Sequence, residues 1–186
     1  SLIFETNIAE VHNLSTGVSL NHDYLRQNLS LFNPTAIPAN YGNLYPLKDN
    51  VESETTPGAY VQYTLNLHNR LVAMAGFRVD HSNVYGTFAT PRFHVKWVAT
   101  DFLTLRLSAG KGYRSPHALA EYNYLMASGR RLIIDQPLKQ EAAWNYGANM
   151  AFNIPLFNKN LKLNAEYYYT HFTNQTVIDC DSNPLE

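Results

Sequence analysis

Hydrophobic and polar residues alternate with a period of two along most of this chain. The clearest stretch is 90–116, TPRFHVKWVATDFLTLRLSAGKGYRSP. In it Leu103, Leu105, Leu107 and Ala109 alternate with Thr104, Arg106, Ser108 and Gly110, and Phe93, Val95 and Trp97 with Arg92, His94 and Lys96. Successive side chains of a strand point to opposite faces. The spacing therefore predicts two long strands around a tight turn, each with one uncharged face and one basic face.

The same pattern recurs on both sides. Residues 2–8 place Leu2, Phe4 and Ile8 against Glu5 and Asn7, and after a polar turn at 10–13, residues 14–24 place Leu14, Thr16, Val18 and Leu20 against small polar residues. Strands are predicted over 59–68 and 71–80 around a turn at Asn69-Arg70, then over 140–153 and 161–173 around the turn IPLFNKN. Between them lie stretches with no period at 25–57, 81–89 and 115–139, the last with helical potential near 118–127 and a basic pair at Arg130-Arg131. These are predicted as loops, and the length of 25–57 marks it as functional or mobile.

The sum is about eight strands of roughly 7 to 13 residues, where soluble strands average about 5 to 6. The fold class is all-β, an antiparallel up-and-down meander. Short turns alternate with longer loops, so every longer loop falls on one end of the sheet. Outer-membrane barrels have that asymmetry.

The faces allow two readings. The apolar face carries one clear charge, Lys111, near a long-loop end; the other carries Glu5, Arg78, Asp80, Arg92, Lys96, Arg106, Arg114, Glu141, Lys162 and Glu166. A soluble antiparallel sheet with its core on one side gives this pattern. So does a barrel wall with lipid outside and a wet lumen inside. Strand length, aromatic residues near both strand ends (Trp97, Phe102, Phe152 and Phe157; Tyr24, Tyr85 and Tyr113) and the snorkelling position of Lys111 favour the second.

Composition narrows this further. A net charge of −1 gives no electrostatic footprint for nucleic acid. The single cysteine, Cys180, offers no internal disulfide, and the seven histidines (His12, His22, His68, His81, His94, His117 and His171) show no metal-ligand spacing. No cofactor is implied and no enzyme is expected: Ser115 has no evident base, and Gly110-Lys111-Gly112 lacks the pattern of a phosphate loop. Asn28-Leu29-Ser30 fits a glycosylation sequon.

AGFRVD (75–80), YGTFATPRFHVKW (85–97), LTLRLSAGKGYRSP (103–116), QEAAWNYGANMAF (140–152) and AEYYYTHFTNQTVID (165–179) follow one another along the chain. In order, spacing and placement they resemble landmarks of TonB-dependent outer-membrane receptors, in wording closest to those of the Bacteroidetes type. Two departures are mild: Tyr113-Arg114-Ser115-Pro116 stands where the family more often has Phe-Arg-Ala-Pro, and Gln140-Glu141 where it has Pro-Glu. The resemblance implies a slice of a barrel of about 22 strands, without its plug domain. It implies the bacterial outer membrane as location and uptake of a scarce small-molecule or metal-chelate ligand: a siderophore, haem, cobalamin or glycan. The implied partners are outer-membrane lipid, the plug domain of the same full-length chain and, through that plug, the TonB complex. Arg92, Gly110, Gly112, Tyr113, Arg114, Pro116 and Glu141 become structural landmarks of the wall. Arg78, Asp80, Lys96, Arg106 and Glu166 become lumen-facing candidates, with Arg78, Arg106 and Arg114 free to pair with Asp80, Glu141, Glu166 or plug carboxylates. The alternatives are a soluble ligand-binding β-barrel or sandwich, and a structural outer-membrane barrel without active transport. An excised slice would have bare edges and an uncovered apolar face, so it is expected either to self-associate or to curl and bury its outward face. Leu185-Glu186 are expected to be vector-derived.

Overall fold

Period-two stretches bury their backbone polar groups by pairing with one another, and here they do so in strict chain order. The computed structural model describes residues 1–9, 11–28, 49–124, 137–157 and 159–179. Its strands are β1 (Leu2–Ile8), β2 (His12–Gln27), β3 (Asn50–Leu67), β4 (Leu71–Ser82), β5 (Gly86–Thr100), β6 (Leu103–Arg114), β7 (Glu141–Leu156) and β8 (Lys159–Asn174). A short helix, α1 (Ala118–Tyr122), lies between β6 and β7. All eight strands form one antiparallel sheet in the order β1 to β8.

The strands run longer than the periodicity predicts. β2 and β3 extend well into the expected loop 25–57, pairing from Leu20↔Pro57 to Gln27↔Asn50. The expected loop 81–89 shrinks to a turn at 83–85, because β4 and β5 pair as far as Ser82↔Gly86. Likewise IPLFNKN is mostly strand, with Ile154 to Leu156 in β7 and Lys159 and Asn160 in β8, and His12 and Asn13 belong to β2 rather than to a turn. The physical reason is common to all four cases. A segment between two partners is held by its ladder whatever its side-chain period, so polar tips stay extended where a neighbour supplies hydrogen bonds. Residues 125–136, with the Arg130-Arg131 pair and the end of the expected helix, lie outside the described residues, as do most of 25–57, Cys180 and Leu185-Glu186.

The turns opposite the longer connections are tight. His68 and Asn69 both have positive φ (49° and 59°), and the Arg70 N–H donates to the Leu67 carbonyl at 3.0 Å. This is the handedness that matches strand twist. Asn66 steadies it by accepting from the Asn69 N–H and donating to the Asn69 side chain, both at 3.0 Å.

What the sheet buries is the reverse of a soluble core. Phe93, Leu107, Val61 and Phe77 are about half exposed on the outward face. The buried polar side chains point inward: Ser82 (1% exposed), Asp80 (5%) and Glu54 (8%). Among the described residues the buried apolar side chains are small: Ala118, Ala142 and Pro116. The chain exposes 13202 Å², against about 9,000 Å² for a soluble protein of its mass. A sheet that leaves its large apolar side chains outside needs an apolar solvent there.

That solvent can be tested residue by residue. Leu107→Arg on the outward face should cost about 2–4 kcal/mol in equilibrium refolding into lipid bilayers. Thr104→Arg, one strand position of the opposite parity, should cost much less. Equal costs at the two positions would exclude a lipid-facing outer surface.

Candidate functional site

The buried side chains gather at the long-connection end of β3, β4 and β6. The organising residue is Ser82 at the β4 tip. Its Oγ accepts from the N–H groups of Val84 (3.1 Å) and Tyr85 (3.2 Å) and donates to Glu54 Oε1 at 2.6 Å. Gly86, at φ +79°, completes this three-residue turn in a conformation that other side chains rarely adopt. Asn83 then sews the turn to β3. Its N–H donates to the Thr55 carbonyl, its Oδ1 accepts from the Thr55 N–H at 2.8 Å, and its Nδ2 donates to the Ser53 carbonyl. Past this point β3 stands above the turn by five residues, about 15 Å at roughly 3.3 Å each.

The stretch after β6 crosses above the same turn to reach that overhang. Ser115 Oγ donates to Glu54 Oε1 at 3.2 Å, and the His117 ring pairs with Glu52 Oε2 at 2.7 Å. Pro116 is buried, and its carbonyl accepts from the Tyr85 hydroxyl at 3.2 Å. Burial, then the carboxylates of Glu54, Glu52 and Glu121, push the Tyr85 phenol above its ordinary 10.0, which keeps it a donor. Strands separated in the sheet by two others are thus tied together through one carboxylate. With Thr56 at 3.5 Å, Glu54 Oε1 collects three hydroxyls.

Arg114 fixes the other side. Its guanidinium forms ion pairs with Glu121 of α1 and, at 3.4 Å, with Glu141 of β7. The His117 N–H also donates to Glu121, at 3.1 Å, and Glu141 accepts from the Thr176 N–H at 3.0 Å beyond β8. Burial alone would raise the Glu121 carboxyl. The hydrogen bonds from Arg114 and the His117 backbone outweigh it and hold the group below its ordinary 4.5. Below the clasp opens an inward recess of about 650 Å³, lined by Glu54, Arg78, Asp80, Phe88, Tyr113 and His117 among others.

The remaining candidates are distributed down the inner wall. Arg78 makes a two-pronged pair with Asp80 (2.7 and 2.5 Å) and donates to Ser19 at 2.7 Å. Arg92 lies flat over Gly76, where a Cβ would meet its Nε at 2.9 Å, and donates to Gln62; Gly110 borders its other side. Arg106 donates to Asn149, which donates to Glu166, so this cation and carboxylate communicate through an amide rather than directly. Lys96 stands directly opposite Arg106 in the register. Gly112 faces open space in the recess, and the Tyr113 ring rests 4.9 Å from that of Phe88. The landmarks Tyr113, Arg114, Pro116 and Glu141 therefore meet at the clasp, whereas Lys96, Arg106 and Glu166 stand apart from it. Sequence reading missed Glu52, Glu54 and Ser82, which sit in stretches predicted as loops, and gave Tyr85 only as a strand-end aromatic; the alternation of Glu52 and Glu54 with Val51 and Ser53 was the available signal for the two acids. Among the described residues no three His, Cys, Asp or Glu side chains converge as a metal site.

The family model described as TonB dependent receptor-like, beta-barrel matches residues 2–186. The chain belongs to that family. No curated protein matches it. Solved structures share the fold at low identity. The siderophore receptor PirA from Pseudomonas aeruginosa is 14% identical with a TM-score of 0.70, covering 96% of this chain and 32% of its own. The ferric enterobactin receptor PfeA (a G324V mutant) from the same organism is 16% identical with a TM-score of 0.68, covering 93% and 26%. The FrpB iron transporter from Neisseria meningitidis is 19% identical with a TM-score of 0.60, covering 90% and 28%. The chain thus spans about a third or less of these receptors. TonB-dependent receptors are outer-membrane β-barrel transporters rather than enzymes, which sets aside the soluble-barrel alternative.

Two outcomes follow for the clasp. Glu54→Ala should cost about 1.5–3 kcal/mol through the loss of hydrogen bonds to a charged group. Amide exchange of Ser115 to Glu121 should accelerate with it, while exchange near the β3–β4 turn stays unchanged. Because Glu121 is held below 4.5 in the folded state, its contribution is complete above that pH and lost as pH falls through the folded value. Protection of the α1 amides should therefore drop on acidification below about pH 4.5, and Arg114→Ala should move that drop to higher pH.

Proposed function

We infer that this chain forms part of the barrel wall of a receptor that imports a scarce ligand across the bacterial outer membrane with energy relayed by TonB. The observation that carries this is the inverted sheet. Large apolar side chains face outward, buried polar ones face inward, and the whole stretch matches the receptor barrel family. Among the described residues no helix is long and apolar enough to cross a membrane; in this reading the strands cross it, with their apolar face outward.

The inward cations fit a partner inside the barrel. Lys96 and Arg106 are directly opposite, and like charges so placed repel unless a carboxylate comes between them. A plug domain of the same chain would supply such groups and would carry the contact to TonB. Arg92, Gly110 and Gly112 act as wall residues in this reading, and Arg78 and Asp80 as a pre-paired part of the lumen surface. The cargo would meet the recess below the clasp. Ferric siderophores head the candidates because the similar receptors are named for iron and siderophores; haem, cobalamin and glycans complete the set.

The test is uptake by cells carrying the full-length gene. Deleting it should abolish energy-dependent accumulation of one labelled ligand among those four classes. Removing residues 115–139 in frame should abolish uptake while leaving the barrel inserted. Accumulation that follows the ligand gradient and survives collapse of the proton-motive force would overturn active import and favour a structural barrel.

A further inference from the structure

The wall is split between β5 and β6. Their pairing ends at Arg92↔Gly110, yet both strands continue, β5 over 86–91 along β4 and β6 over 111–114 along β7. Each lip is therefore paired only on its far side. Pro91 stands where the split begins and has no N–H to give. At membrane depth, backbone that leaves a closed ladder is tolerated where it borders a cavity, and a cavity lies behind this split. Phe88 and Thr90 from one lip, and Gly112 and Tyr113 from the other, line the recess below the clasp.

Tyr113 shows that the split passes through the wall. By alternation its side chain belongs to the outward face with Leu107, Ala109 and Lys111, and the Lys111 ammonium lies 4.8 Å from the centre of its ring. The same ring meets that of Phe88 at 4.9 Å and lines the inward recess. Phe88 is inward, as the register partner of buried Asp80. A ring that touches an outward and an inward side chain at once occupies the thickness of the wall. The lips are small where the ring does not fill them. Outside stand Ala89 and Pro91; inside stands Gly112, where a Cβ would find no atom within 4 Å.

The two sides of the split differ in chemistry. Outside lies the apolar face, with Phe77, Phe93 and Leu107 about half exposed. Inside, the recess sets Asp23, Glu54 and Asp80 against the single guanidinium of Arg78. It is rich in acceptors, and an anionic group would meet like charge there.

We propose that the split is a lateral portal and the recess behind it a site for an amphiphile. The acyl chain passes between Phe88 and Tyr113 into the outer leaflet, while an uncharged, hydroxyl-bearing head stays in the recess and donates to its carboxylates. The Tyr113 ring is the door, swinging toward the face its strand position already gives it. The proposal rests on the lipid-facing exterior and on the recess receiving cargo, as inferred above.

The test places Thr90→Cys in the full-length receptor, freed of other accessible cysteines, in phosphatidylcholine nanodiscs. Its two probes are dodecyl maleimide, confined to the bilayer, and a water-soluble maleimide. The ratio of their rates should be higher at Thr90→Cys than at Ser108→Cys, an inward position with closed ladders on both sides. Adding Tyr113→Ala should raise that ratio up to about tenfold, the scale of one aromatic contact, and adding Gly112→Leu should lower it. Monolauroylglycerol should protect Thr90→Cys from the bilayer reagent, and laurate should not. A ratio at Thr90→Cys no higher than at Ser108→Cys, with outward Leu107→Cys labelled, would overturn the portal alone. No labelling of Leu107→Cys would overturn the lipid-facing wall and the portal with it. Equal protection by laurate would overturn the uncharged head. The comparison of Thr90→Cys with Ser108→Cys decides the matter if a Tyr113 or Gly112 variant fails to insert.

Discussion

Backbone pairing carries this structure because nothing else can. A soluble domain of this size is held by apolar burial, but here the apolar side chains are outside and the buried ones are Ser82, Asp80 and Glu54. Seven antiparallel ladders satisfy the peptide groups between the strands, and each strand depends on the one before it. Lipid rewards this arrangement twice. It solvates the apolar face, and it makes every unpaired peptide group expensive, so the ladder is enforced from outside.

Where the ladder lapses, side chains take over. β4 and β5 end at a short turn while β3 continues, and β5 parts from β6 above Arg92. The clasp spans that gap in the wall: Glu54 and Glu52 on one side, Arg114 and Glu141 on the other, with Ser115 to His117 carried across the turn between them. Its bonds are polar because its position is wet. Buried hydroxyls and carboxylates serve there only if each finds a partner, and Ser82 shows the completeness required, with two N–H donors and one carboxylate acceptor on a single oxygen. The landmark Tyr113-Arg114-Ser115-Pro116 therefore has a physical reason for its composition. Arg114 forks between two acids, Ser115 bridges strands, and Pro116 leaves its carbonyl for Tyr85.

The sheet was legible from side-chain period alone. Eight strands, their order and the face each residue occupies follow from alternation such as Leu103-Leu105-Leu107 against Thr104-Arg106-Ser108, since a one-residue slip would turn every apolar group inward. The strand tips were not legible, because Asn50 to Pro57 and Asn21 to Gln27 owe their extension to each other rather than to burial of an apolar face. The clasp was half legible for the same reason. Arg114 and Glu141 sit on strands with a clear period, whereas Glu54 and Ser82 sit beyond it. Which distant residues meet depends on how far each strand outlasts its neighbour, and no local pattern encodes that difference.

This division explains how one wall can serve different cargo. Side-chain period and ladder fix the transmembrane part, so it tolerates wide sequence change; the three similar receptors share the fold at identities of 14%, 16% and 19%. The described part of the connection after β6 is anchored at its root. α1 is held by Arg114 and by the segment leading into it, through Glu121 and His117. A connection anchored at its root can change sequence beyond the root without disturbing the barrel. In the proposed receptor the clasp would separate two selection pressures: below it residues answer to lipid and to the ladder, and above it they would answer to the ligand.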